Sequence, residues 1–375
     1  MDSKQSNLWL TKGGNSQRTY SINADTKEEF IAFISDSSLN RLSLKGKLLS
    51  NTKIEPEREL RNTLSAGNNY IVGIDYNNAG YLFDINGDLL SKTNDFNRSF
   101  NSFEPLITNK GFLLSHAYAD EEEPSTHVVY DNGEPVSTQK LELRFYNFDC
   151  KQKWRFNCNA GSVYHPVINK DGVFVASDLG LLKINVDTGK VDYLLNEFNE
   201  GTIFSSPIAV NNKVYISTGI KNWSVFGLSL EGKVIETFEN ESANNNSSYL
   251  NGIFVSNTHD EKLYANKVDH TLFRKEIHSS NNIALTPEFI YVAQKNEDWS
   301  INMIKLSYEG EIQEESKILS GPMKNFSINK DQIILGTNGA IRSLDSIDLS
   351  RNWDYFTNRK NVSNPIFVTK DKHFS

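Results

Sequence analysis

Alternating apolar and polar positions, closed by short turns, run through most of this chain. The segment Asp171–Leu194, DGVFVASDLGLLKINVDTGKVDYL, shows the unit most clearly. A run through Val173 and Val175 is followed by a second through Leu182, Ile184 and Val186, then the turn Asp187-Thr188-Gly189-Lys190, then a third run. Period-two alternation bounded by a glycine turn predicts antiparallel strands joined as a meander. The same order recurs at 214–238, VYISTGIKNWSVFGLSLEGKVIETF. Hairpin turns align on Gly46, Gly87, Lys151, Gly189, Gly232, His270, Gly310 and Ser350, at intervals of about forty residues with one longer gap. A four-stranded unit of that size cannot bury both of its faces alone, so the units must pack radially and the ring must close. The expected fold is all-β, a single closed β-propeller spanning 1–375. Eight turns predict eight blades, with seven as the alternative if one outer hairpin is irregular. The long gap holds an insertion at 120–140.

With strands lettered A to D from the axis outward, strand A carries a recurring x-Pro-aliphatic. It appears as Glu104-Pro105-Leu106, His165-Pro166-Val167, Ser206-Pro207-Ile208 and Asn364-Pro365-Ile366. Proline lacks the N–H a ladder needs and belongs at a strand start or an edge. Strand B is the aliphatic run seen at Ile71–Ile74, Phe112–Leu114, Val173–Val175, Val214–Ile216, Ile290–Val292 and Ile333–Leu335. A ring needs its last segment paired with its first, or two sheet edges stay open. Either the tail from Asn364 or the segment Arg18–Asn23 is available to give blade 1 its inner strand.

The pattern SSPIAVNNKVYISTG…VFGLSLEGKVIETF resembles the PQQ-like, or quinoprotein-type, β-propeller repeat. The opening Trp9…Gly13-Gly14-Asn15-Ser16-Gln17-Arg18-Thr19 is similar to the start common in that family, and Trp154 and Trp353 fall where its strand D often has tryptophan. The resemblance spans nearly the whole chain, is clearest in blades 4 and 5, and thins in blades 6 to 8. It implies the fold. Chemistry follows from it less directly, because one repeat serves both dehydrogenases and cofactor-free scaffolds. The quinone-dependent enzymes of the family are implied to be longer and exported, often with adjacent cysteines beside the cofactor. This chain has two separate cysteines, Cys150 and Cys158, which places it with the cofactor-free branch.

Charge narrows the partners. A net charge of −8 argues against a nucleic-acid surface, which needs a basic stripe, and favours a self-repelling monomer. The first residues, MDSKQSNLWLTKGGNSQ, have neither the apolar core nor the cleavage site of a secretory signal, so a cytoplasmic location is expected. No apolar run reaches the roughly 20 residues that span a bilayer, so no membrane is expected either. The histidines show no His-x-His or HExxH spacing, and the Asp-Gly and Asn-Gly pairs read as hairpin turns rather than calcium loops. No Gly-x-Ser-x-Gly and no phosphate-cradling glycine loop is present. No cofactor, metal or catalytic residue is therefore expected from local motifs.

Surface features remain. The insertion carries six carboxylates, among them Asp120, Glu121, Glu122 and Glu123, with His127 close behind. Trp223 and Trp299 stand in polar B–C connections where the repeat does not ask for tryptophan. Tryptophan is enriched at binding hot spots, and long loops in a tight repeat are where function tends to be placed. Each has a plainer reading, a solvated loop for the acids and packing on a neighbouring blade for the tryptophans. The expectation is a non-enzymatic propeller that binds a protein partner through its B–C/D–A face with these seven residues. In its sharper form it is an immunity or inhibitor protein that covers a toxin's basic cleft. The rivals are a lyase- or hydrolase-type enzyme with carboxylates and histidines on the axial strands, and a small-ligand or sugar binder at the channel mouth.

Overall fold

The computed structural model describes residues 21–369 apart from 24–27, 36, 55–59, 95–100, 120–128, 132–133, 137–138, 161–162, 170–171, 178–179, 196–201, 204, 211, 220–223, 240–243, 259–260, 268–269, 278, 297–299, 319–325, 338 and 358–361. Among the described residues there is no helix. Eight sheets of antiparallel strands, one of them with an added parallel strand, form the blades in chain order. Blade 2 shows the plan, with strand A at Leu60–Gly67, B at Tyr70–Asp75, C at Gly80–Asp84 and D at Leu89–Lys92. The proposed eight-bladed, all-β ring is the fold observed.

Burial explains the sequence pattern strand by strand. Strand B lies between neighbouring blades and is buried on both faces. Every residue of Phe30–Ser35 and of Gly172–Ser177 is buried. These strands therefore read as near-continuous apolar runs. Strand D is the rim, and its residues are mostly exposed or half-buried, as in Leu48–Lys53 and Val191–Leu195.

Adjacent blades are latched through strand D and the next C–D turn. The indole of Trp154 in blade 3 donates from Nε1 to the Val186 carbonyl of blade 4 at 2.7 Å. Its ring lies against Gly189, where an added Cβ would come within 2.8 Å. Glycine is required there twice over, because its φ is +69°. Trp353 repeats the latch from blade 8 to blade 1, donating to the Leu44 carbonyl at 3.0 Å over Gly46. Leu195 and Phe273 take the indole's place over the turns of blades 5 and 7. In blades 3 and 8 the left-handed turn residue is Cys150 or Leu349, one position before the anchors Lys151 and Ser350 chosen from sequence.

Both chain ends contribute to closure. The tail strand Ile366–Thr369 pairs antiparallel with Phe30–Ser35 and is strand A of blade 1. Ser21–Asn23 then pairs with the tail in parallel, on its axial side. Ser363 secures the joint, with its N–H donating to the Ile34 carbonyl and its Oγ accepting from the Ile34 N–H at 2.7 Å. The two candidates for the inner strand are thus used side by side.

Candidate binding face and the axial ring beneath it

Antiparallel order sends every B–C and D–A connection to one end of the ring. Most B–C connections are tight: strand B gives way to C between Ser35 and Ser38, Asp75 and Gly80, and Ser177 and Gly180. Blade 3 differs. Its B strand, Phe112–Ala119, and C strand, Gln139–Tyr146, pair as far as Ala119↔Gln139 and then part. Within the insertion Val129–Asp131 pairs with Glu134–Val136 as a two-stranded sheet of its own. Asp120, Glu121, Glu122, Glu123 and His127 lie outside the described residues, as do Trp223 and Trp299. Their flanks are described and share the one face. Strands B and C of blade 5 pair up to Thr218↔Ser224. In blade 7 Asn296 bonds across its loop to Ser300, from backbone N–H to carbonyl at 2.9 Å and from Nδ2 to Oγ at 2.8 Å.

Below the insertion, blade 3 holds a charge cluster around the buried Glu142 that motif reading missed. Glu142 on strand C is ion-paired to Arg144 and takes Arg155 from strand D in a fork, at 2.8 Å from Nε and 3.1 Å from Nη2. Arg144 and Arg155 sit directly opposite each other, a repulsive pair that Glu142 bridges. His116, opposite Glu142, is wholly buried, and its pKa is pushed down to about 3 by burial first, then by Arg144 and Arg61. It is neutral at physiological pH.

A second feature emerges only from register. In every blade the C–D pairing slips once near the turn, for instance at Arg41/Leu42, Phe145/Tyr146 and Ser343/Leu344. The pairs Leu42↔Ile31↔Phe367 carry that reference inward to strand A in blade 1, and each other blade has its counterpart. Three residues before the counterpart of Phe367, the chain bulges away from strand B in most blades. That position is Asn364 in blade 1, Thr63 in blade 2, Glu104 in blade 3, His165 in blade 4 and Ser206 in blade 5. Blades 6 and 7 place Asn246 and Asn282 there, and in blade 8 the count reaches Asn325, outside the described residues. All eight are polar. The x-Pro motifs of the sequence are four members of this axial ring.

Bonds run around it. Asn364 Nδ2 donates to Glu104 Oε1 at 3.3 Å, linking blade 1 to blade 3 in front of blade 2. The His165 N–H donates to Ser206 Oγ at 3.1 Å, and the His165 ring meets Phe103 edge-on. Ser65, Ser248 and Ser327, two positions beyond the ring, each donate to a carbonyl of the next blade, at Pro105, Ile283 and Pro365. No group of three or more His, Cys, Asp or Glu side chains that could hold a metal occurs among the described residues.

Fold and face together define an eight-bladed β-propeller with one elaborated end. No family model and no curated protein matches the chain. Solved structures do. The computationally designed Ika8 protein is similar over 80% of this chain and 88% of that chain, at 11% identity and a TM-score of 0.61. BamB from Moraxella catarrhalis is similar over 94% and 95%, at 12% identity and a TM-score of 0.59. Apo AztD from Citrobacter koseri is similar over 91% and 98%, again at 12% identity and 0.59. At such identities what is shared is the propeller fold.

Proposed function

We propose that the chain is a non-enzymatic, cofactor-free propeller of the PQQ-like type that binds a protein partner through its B–C/D–A face. The observation that carries this reading is the blade 3 insertion. It gives one tight repeat in the ring a 19-residue B–C connection (120–138) with a hairpin of its own. A closed ring does not need such a loop for stability, and long loops on rigid scaffolds serve recognition. Asp120, Glu121, Glu122 and Glu123 give it charge that attracts a basic surface, and the apolar anchors of this reading are Trp223 and Trp299, which belong to B–C connections whose described flanks are at the same end of the ring. A monomeric cytoplasmic immunity or inhibitor protein acting on a basic toxin or enzyme is the form of this function that suits acidic charge without catalytic motifs.

The test is affinity capture from the native host with the wild-type chain beside two variants, one with the four acids neutralised and one with Trp223→Ala and Trp299→Ala. A species captured by the wild type and lost from both variants supports the reading. A species held equally by all three places recognition elsewhere. A second reading, an enzyme with an axial site, draws on Glu104 and His165, 5% and 4% exposed in neighbouring blades. Turnover of a substrate that ceases in both Glu104→Gln and His165→Gln would favour it.

A further inference from the structure

We infer that the described part of the axial ring, Asn364, Thr63, Glu104, His165 and Ser206, is a binding site for a small neutral polyhydroxylated ligand, of the sugar or polyol class. Blades 1 and 3 are not neighbours, so the Asn364–Glu104 bond exists only because both side chains project toward the axis in front of blade 2. With the Asn364 amide N–H committed to the carboxylate, its Oδ1 is turned elsewhere. That oxygen is enclosed and has no protein hydrogen-bond partner, in a residue only 8% exposed. Blade 2, between them, presents Thr63 at the same level, and the Thr63 hydroxyl is likewise enclosed without a partner. Native structures rarely leave such groups unsatisfied, and an orphan acceptor and an orphan hydroxyl at equivalent positions of adjacent blades call for a ligand that offers O–H groups.

Composition of the ring points to the same class. At the five described positions, Asn364, Thr63 and Ser206 bring an amide and two hydroxyls, and each both donates and accepts, as a ligand hydroxyl does. Glu104 brings the one carboxylate among these five, and its oxygens accept from hydroxyl donors. An anionic ligand would face that carboxylate, and an apolar one would strand the amide. The Phe103 ring beside His165 supplies a small apolar flank, as sites for hydroxylated ligands commonly have. The residues of this site are on the inner strands and not in the blade 3 insertion or the connections that carry Trp223 and Trp299, so variants of one set leave the other set unchanged and the two functions are tested independently.

Saturation-transfer NMR on the full chain, with glucose, galactose and myo-inositol as probes at millimolar concentration, reads it directly. Transfer to at least one probe is expected from the wild type. Thr63→Val keeps the shape and removes the hydroxyl, and Glu104→Gln keeps it and removes the charge. Each variant should weaken binding about fivefold, the ratio one lost hydrogen bond supplies, with the circular dichroism spectrum unchanged. Ser206→Ala, at a half-buried ring position, serves as a third variant if either of the others fails to fold. No transfer from the wild type, or equal transfer from wild type and variants, overturns the inference.

Discussion

Phe367→Ala tests the closure of the ring at its centre. Phe367 is wholly buried in the tail strand, opposite Ile31 on one side and Ser21 on the other. It packs in the cluster that joins blade 8 to blade 1, with Phe33, Ile334, Ile341 and Val362. A buried phenylalanine removes about 150–250 Å² from water, which at about 25 cal/mol per Å² is about 4–6 kcal/mol. Large-to-small series give about 3–5 kcal/mol for the same change, transfer and cavity together. Against a typical domain stability of about 5–15 kcal/mol, that is about a fifth or more of the whole. The control is Phe356→Ala, the same chemistry on rim strand D at 70% exposure, expected to change stability by no more than about 0.5 kcal/mol. Urea unfolding of both variants measures the contrast as a midpoint shift at constant slope. Equal midpoints for the two would mean that the tail does not close the ring.

Three further outcomes follow from the latches, the buried histidine and the tail. Trp154→Phe keeps the ring over Gly189 and loses the 2.7 Å bond to Val186, which leaves that carbonyl short of a donor and costs about 1–3 kcal/mol by urea midpoint. His116 has a folded pKa near 3 against 6.5 unfolded, so the unfolded chain binds the extra proton. Stability from this group is then complete above about pH 6.5 and is lost as pH falls toward 3, and His116→Asn should flatten the urea midpoint between pH 7 and 4.5 relative to wild type. Deleting Asn364–Ser375 should lower the melting temperature by well over the few degrees of a surface change, because it opens a sheet edge and uncovers Ile31 and Ala32.

Much of the architecture was legible in the residues, and the reasons are local. Turn glycines such as Gly46 and Gly189 have positive φ and sit beneath a latch side chain, so both backbone and packing hold them. Strand B could be read from its apolar runs because two blades cover it. Blades 3 and 8 were harder to register, since Cys150 and Leu349 adopt the left-handed conformation that glycine takes elsewhere and leave no compositional mark. Both closing segments, the tail from Asn364 and Arg18–Asn23, were legible as candidates, but their joint use was not, because pairing between Phe367 and Ile31 spans nearly the entire chain. The axial ring was half visible. Glu104, His165, Ser206 and Asn364 were marked by the proline that follows, whereas Thr63, Asn246 and Asn282 have no such flag and join them only through strand register. The Glu142 cluster needed three strands to assemble, with Arg155 thirteen residues from its partner.

The claim that the loop-bearing face recognises a basic protein is tested most directly by binding kinetics on the captured partner. Neutralising Asp120, Glu121, Glu122 and Glu123 should slow association and leave dissociation nearly unchanged, because long-range charge acts on encounter. Raising salt on the wild type should reproduce the effect, since exposed charges are screened over about 8 Å at physiological ionic strength. Trp223→Ala or Trp299→Ala should instead speed dissociation, by the factor that corresponds to about 2 kcal/mol or more at a hot spot. Association and dissociation rates identical to wild type in all three variants would contradict the account and move recognition to the opposite face, where the C–D turns emerge.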